Sequence, residues 1–105
     1  MSALVSVYVT FADAAEAERI GRAVIDERLA ACINILGVTT SIYRWNGRVE
    51  TAVEQAAILK TAASHAEALV ARLAELHSYD GPAIAVWPIE TVHPPYAEWV
   101  ATQLR

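Results

Sequence analysis

The chain has 105 residues, 55% of them apolar and 19% charged, against about 45–50% and 25% in an ordinary soluble domain. That length makes one domain, 1–105, and the apolar excess excludes intrinsic disorder, although 21 alanines supply part of it. The net charge is −4, with a single lysine and no basic run, which argues against a nucleic-acid partner held by phosphate contacts.

Val5 to Phe11 is β-branched and aromatic and reads as a strand. Asp13 and Glu16 follow at capping-box spacing: the Asp13 carboxylate accepts from the third helical amide and Glu16 reaches back. Helix 1 then extends to about Ala30. Its inward face is Ala17, Ile20, Gly21 and Val24, and Glu18–Arg22 and Arg22–Asp26 are i,i+4 pairs on the wet side. Cys32 to Trp45 reads as a long strand broken at Gly37. Asn46-Gly47 is a hairpin signal, because a type I′ turn needs positive φ at both central residues. Arg48 to about Thr61 is the returning strand, even though Glu54 to Lys60 has helical composition. Ser64 and Glu67 repeat the capping-box spacing, and helix 2 runs to about His77. Tyr79-Asp80-Gly81-Pro82 is a turn, and Ala83 to Ile89 is an apolar strand. Pro94-Pro95 opens a last helix with Tyr96, Trp99, Val100 and Leu104 on its apolar side.

The order is β-α-β-β-α-β with a C-terminal helix, an α+β, ferredoxin-like pattern. Two helices cover one sheet face. The other face and the edges of the long hairpin need cover, and self-association is the economical source. The first residues lack a basic leader and no apolar run approaches the ~18 residues of a membrane span. The expectation is therefore no membrane partner. A lone Cys32 forms no internal disulfide, which suits the cytoplasm.

Chemical motifs are sparse. There is no CxxC, HxH, GxGxxG, phosphate-binding loop, GxSxG or HExxH. No nucleophile–base pair is visible, so the expectation is a protein that is not an enzyme. His65 reads as solvated, and Glu90 and His93, three apart outside a regular helix, need not face one site. His77, at a helix end, either caps carbonyls or serves as an imidazole ligand in a cleft. Lys60 is either a strand surface charge or the holder of an anion. Tyr43 and Trp45 flank Arg44 beside the hairpin tip and read as interface packing. Glu50, Glu54, Asp80 and Glu90 are solvated carboxylates, or weak cation ligands at subunit borders.

Several segments resemble the CutA-type divalent-cation tolerance proteins. They are Tyr8-Val9-Thr10-Phe11 with Asp13, Glu27 to Ile35, Thr40 to Glu50, Leu59-Lys60-Thr61, His77 to Pro82, Pro88-Ile89 and Tyr96 to Val100. Together they span nearly the whole chain, in order. The resemblance implies a ferredoxin-like protomer with a long β2–β3 hairpin, assembled as a homotrimer like the PII signalling trimers. It implies a divalent metal, copper above all, or a small anionic ligand or nucleotide, bound in clefts between subunits. A structural scaffold is the further alternative. The site residues it implies are His77 for metal and Lys60, Tyr79 and Trp45 for a ligand. The chain departs from the family pattern in three places. Val9 stands where some members carry a cysteine, Ser78 and Asp80 replace a Pro and a Glu, and Trp87 replaces a smaller aliphatic.

Overall fold

The computed structural model describes residues 2–105. Strand β1 is Leu4–Phe11, helix α1 Ala14–Asp26, strand β2 Cys32–Trp45 and strand β3 Arg48–Ala62. A 3-10 turn at Ala63–His65 leads into helix α2, Ala66–Leu76, followed by strand β4, Ile84–Pro88, and helix α3, Pro94–Gln103. The α+β class therefore holds. The sheet has the order β2-β3-β1-β4 with every neighbour antiparallel. No helix among the described residues is long and apolar enough to cross a membrane.

The core follows from the two-residue period of the strands. Val5, Val7, Val9 and Phe11 point to one face of β1, where they meet Ala57, Leu59 and Ile84 from the sheet. Ala17, Ile20 and Val24 of α1 and Leu69 and Leu73 of α2 close that layer from above. Gly21 is the point of closest approach between α1 and the sheet: a Cβ there would stand 2.9 Å from Cδ1 of Ile33. The alternate residues face the other way. Helix α3 covers only one end of that second face, where Leu4, Ala31 and Val100 form a separate small cluster. The remainder carries the Tyr8–Trp87 stack, with ring centroids 5.3 Å apart, and Lys60.

Local signals succeed and fail in instructive ways. Asp13 caps α1 by accepting from the Glu16 amide at 2.8 Å. Asn46 and Gly47 take φ of 50° and 78°, as the hairpin turn requires. Gly37, at φ 110°, marks a bulge in β2. The expected extension of α1 to Ala30 is corrected, since it ends at Asp26. Arg28 enters the left-handed region at φ 59°, and the Leu29 and Ala30 amides fold back onto the Val24 carbonyl. The Ser64–Glu67 capping box is also corrected. His65 is the N-cap of α2 without a side-chain cap, because Ser64 Oγ pairs with His65 Nδ1 and the Ala63 amide continues the strand pairing onto Ala3.

β1 ends at Phe11, opposite Gln55. Beyond that register, β2 and β3 continue alone as a two-stranded arm, from Val38 to the turn and back to Glu54. The arm stretches the molecule to 45 × 26 × 22 Å. One arm face carries Val38, Ile42, Val49 and Val53, all more than 60% exposed. The opposite face carries Tyr43, Trp45, Arg48, Glu50 and Glu54, by cross-strand register and alternation. An isolated two-stranded ribbon is marginal in water, and this one exposes both sides of its apolar content.

Candidate functional site

At the root of the arm lies a polar cluster built by three elements. The start of α1 contributes Glu16, the end of β1 contributes the Thr10 carbonyl and Phe11, and the turn after α2 contributes His77, Ser78 and Tyr79. The His77 ring is fully covered, lying parallel to Phe11 at 5.3 Å and tilted against Tyr79 at 4.7 Å. Nε2 donates to the Thr10 carbonyl at 2.8 Å, and Nδ1 accepts the Tyr79 amide at 3.1 Å. A carbonyl only accepts and an amide only donates, so the pair fixes the neutral Nε2–H tautomer. Both ring nitrogens are used internally. Within one copy the ring ties the turn after α2 to β1.

Glu16 is the second tie. Its Oε1 accepts the Ala12 amide and its Oε2 the Ser78 amide, each at 3.1 Å. Burial by itself would raise this carboxyl. The hydrogen bonds from Ser78 and Ala12 outweigh burial and hold it below the usual glutamate range. The charged form is therefore the one the fold stabilises. Glu16 reaches Ala12 rather than Asp13, one residue earlier than the capping box assumes.

Tyr79 closes the cluster by donating its hydroxyl to Oε2 of Glu54 at 3.0 Å. Burial pushes the Tyr79 phenol up to about 12, with the Glu54 bond and charge adding to it. Glu54 itself is only 8% exposed. Sequence reasoning placed it among solvated acids and missed both this burial and the linking role of Glu16. The Asp13–Glu16 spacing was the one available signal for the latter.

The remaining expected ligand residues lie elsewhere. Lys60 donates to Oδ1 of Asn34 at 3.1 Å on the second sheet face, in a cross-strand row with Ser6 and Cys32. Trp45 is at the arm tip, about 40 Å of strand away from Lys60 at ~3.3 Å per residue. Within one copy, Lys60, Tyr79 and Trp45 thus do not form one site. Cys32 Sγ lies 3.3 Å from the Tyr96 hydroxyl. Burial, followed by the Cys32 contact, pushes the Tyr96 phenol up to about 12. Among the described residues no three His, Cys, Asp or Glu side chains come together to hold a metal ion. The donors of a single copy do not fit a resident divalent metal.

The fold and this cluster define a class: a small α+β protein with an unpaired apolar arm and a satisfied polar knot at its root. Residues 5–103 match the model of the CutA1 divalent ion tolerance protein family, and the chain belongs to that family. It is 34% identical over 101 residues to the divalent-cation tolerance protein CutA of Pectobacterium atrosepticum, covering 96% of this chain and 92% of that one. It is 37% identical over 95 residues to protein CutA of Mus musculus, covering 90% of this chain but only 54% of the mouse protein. The chain spans little more than half of that relative. The crystal structure of CutA from Xylella fastidiosa superposes with a TM-score of 0.96 at 36% identity, covering 99% of this chain and all of that one. CutA1 from Oryza sativa superposes at 0.95 and 35% identity, covering 99% and 95%.

Proposed function

We propose that the chain works as a non-catalytic homotrimer of ferredoxin-like protomers in divalent-cation tolerance, with clefts between copies that take a small ligand. The observation that carries this reading is the arm: four aliphatic side chains more than 60% exposed on a ribbon with no third strand. A monomer seldom leaves such a patch bare, and closed rings of identical subunits are the common way to bury one. Analytical ultracentrifugation over a hundredfold range of concentration tests it. The expected mass is three times 11.4 kDa; a stable monomer at micromolar concentration overturns it.

A small anion is the favoured ligand because Lys60 has no acidic partner within ion-pair range among the described residues. Copper is a weaker reading, since one copy does not assemble its donors; any metal would need ligands from more than one copy. Calorimetric titration with phosphate, a nucleoside monophosphate and copper separates the two. Anion binding lost in Lys60→Met supports the first, and copper binding unaffected by His77→Gln agrees with the internal role of that ring. A reducing compartment, the cytoplasm, suits the free, half-buried Cys32.

A further inference from the structure

The cluster at the arm root holds two carboxylates, and only one has an oxygen to spare. Both oxygens of Glu16 are taken, by the Ala12 and Ser78 amides. Glu54 is more than nine-tenths buried, yet its only hydrogen bond among the described residues is the one that the Tyr79 hydroxyl donates to Oε2. No Lys, Arg or His lies within ion-pair distance of it. No fully covered side-chain oxygen or nitrogen lacks a partner among the described residues, so Oε1 of Glu54 is reachable from outside. A buried carboxylate without a cation is costly, and one with an open oxygen attracts a cation to it.

The surroundings narrow the kind of cation. Thr39 stands directly opposite Glu54 in the β2–β3 register, so its hydroxyl lies on the same face. The Tyr79 ring, 38% exposed, borders the opening. The next acid on that face, Glu50, is four residues along β3, or about 13 Å of strand, so the two carboxylates cannot grip one ion. A hard divalent metal takes about six oxygens or more and would find one carboxylate oxygen and one hydroxyl. A guanidinium gains most from pairing with both oxygens of a carboxylate, and one of these already accepts from Tyr79. An ammonium is a compact charge with three donors. One donor suits Oε1 and a second the Thr39 hydroxyl, with the Tyr79 ring beside the charge. The chain's single lysine cannot supply it within one copy. Lys60 is six residues away on β3, about 20 Å of strand, and donates to Asn34.

We propose that Glu54, with Thr39 and Tyr79 around it, binds the primary ammonium group of a small aliphatic amine. The site is separate from Lys60, and it does not rest on the anion reading of that residue.

Titration of the isotope-labelled full chain, in its assembled state, with n-butylammonium chloride tests it, with sodium chloride at matched ionic strength as the baseline. The amide resonances of Glu54 and Tyr79 should shift to saturation at millimolar amine. Glu54→Gln should weaken binding about tenfold or more, because it removes the charge and keeps an acceptor for the Tyr79 hydroxyl. Circular dichroism checks that the variant folds. Butyltrimethylammonium, with the same charge and no N–H donor, should bind the wild-type chain more weakly than butylammonium. Sedimentation of the same samples reports self-association separately, so failure of one reading is distinguishable from failure of the other. Equal binding by Glu54→Gln, tighter binding of calcium than of the amine, or no shift beyond that of sodium chloride overturns the proposal. Binding seen only in Lys60→Met means that the lysine of another copy already fills the site, and overturns it as well.

Discussion

Glu16→Ala is the sharpest test of the knot at the arm root. The substitution removes the acceptor for two backbone amides, Ala12 and Ser78, each held at 3.1 Å. A hydrogen bond to a charged partner contributes about 1.5–3 kcal/mol. Ala12 and Ser78 are both exposed, so water recovers part of each bond and the low end applies. Two such bonds give a loss of about 3 kcal/mol, or roughly 15 °C in melting temperature for a chain of this size. Glu16→Gln keeps one carbonyl oxygen and turns a donor toward the other amide, so it should cost about half as much. The wild-type carboxylate also separates from Glu16→Gln by pH. The folded carboxyl titrates below the ordinary glutamate value of about 4.3. Its contribution is therefore complete above that value and is lost as pH falls through the lowered folded one. Urea unfolding of wild type and Glu16→Gln from pH 7 to pH 3, at one fixed protein concentration, reads both effects. The stability gap should be constant down to about pH 5 and then shrink. A loss below about 0.5 kcal/mol in Glu16→Ala, or a gap that does not narrow in acid, would refute the argument.

Gly21→Ala places a methyl 2.9 Å from Cδ1 and 3.0 Å from Cγ2 of Ile33. It should destabilise by about 1–2 kcal/mol in thermal unfolding, and Ile33→Val in the same chain should recover part of that by removing Cδ1. Leu73→Ala empties a fully buried position under the sheet and should cost about 2–5 kcal/mol by the same assay. At high pH the neutral phenols of Tyr79 and Tyr96, both pushed up to about 12, contribute stability that is present below the unfolded value of about 10 and lost as pH rises through the folded one. An ultraviolet titration should show two phenols still protonated at pH 11, with Tyr79→Phe and Tyr96→Phe each removing one.

What the sequence discloses, and what it withholds, follows from the range of the forces involved. Asp13–Glu16 and Asn46-Gly47 act within four residues, and the structure reproduces both contacts. Ser64–Glu67 has the same spacing and fails. Ala63 is still tied across the sheet to Ala3, and Ser64 Oγ pairs with the His65 ring rather than with the Glu67 amide. The early end of α1 is non-local too: Thr61, far along the chain, donates to the Leu29 carbonyl at 2.7 Å and fixes the chain where Arg28 turns left-handed. The site is harder to read than the fold for the same reason. His77 stands at a helix end, where a capping or ligand role is the local reading. Its actual partner, the Thr10 carbonyl, lies 67 residues away. Glu54 looks like any acid of an amphipathic strand until Tyr79 lies across it. Composition contains one clue that spans the chain: the apolar excess needs more burial than one copy supplies. The arm shows where that surplus sits. Its aliphatic face, Val38, Ile42, Val49 and Val53, is opposite the face that Tyr79 reaches at Glu54, so the surplus and the polar knot lie on different sides of one ribbon.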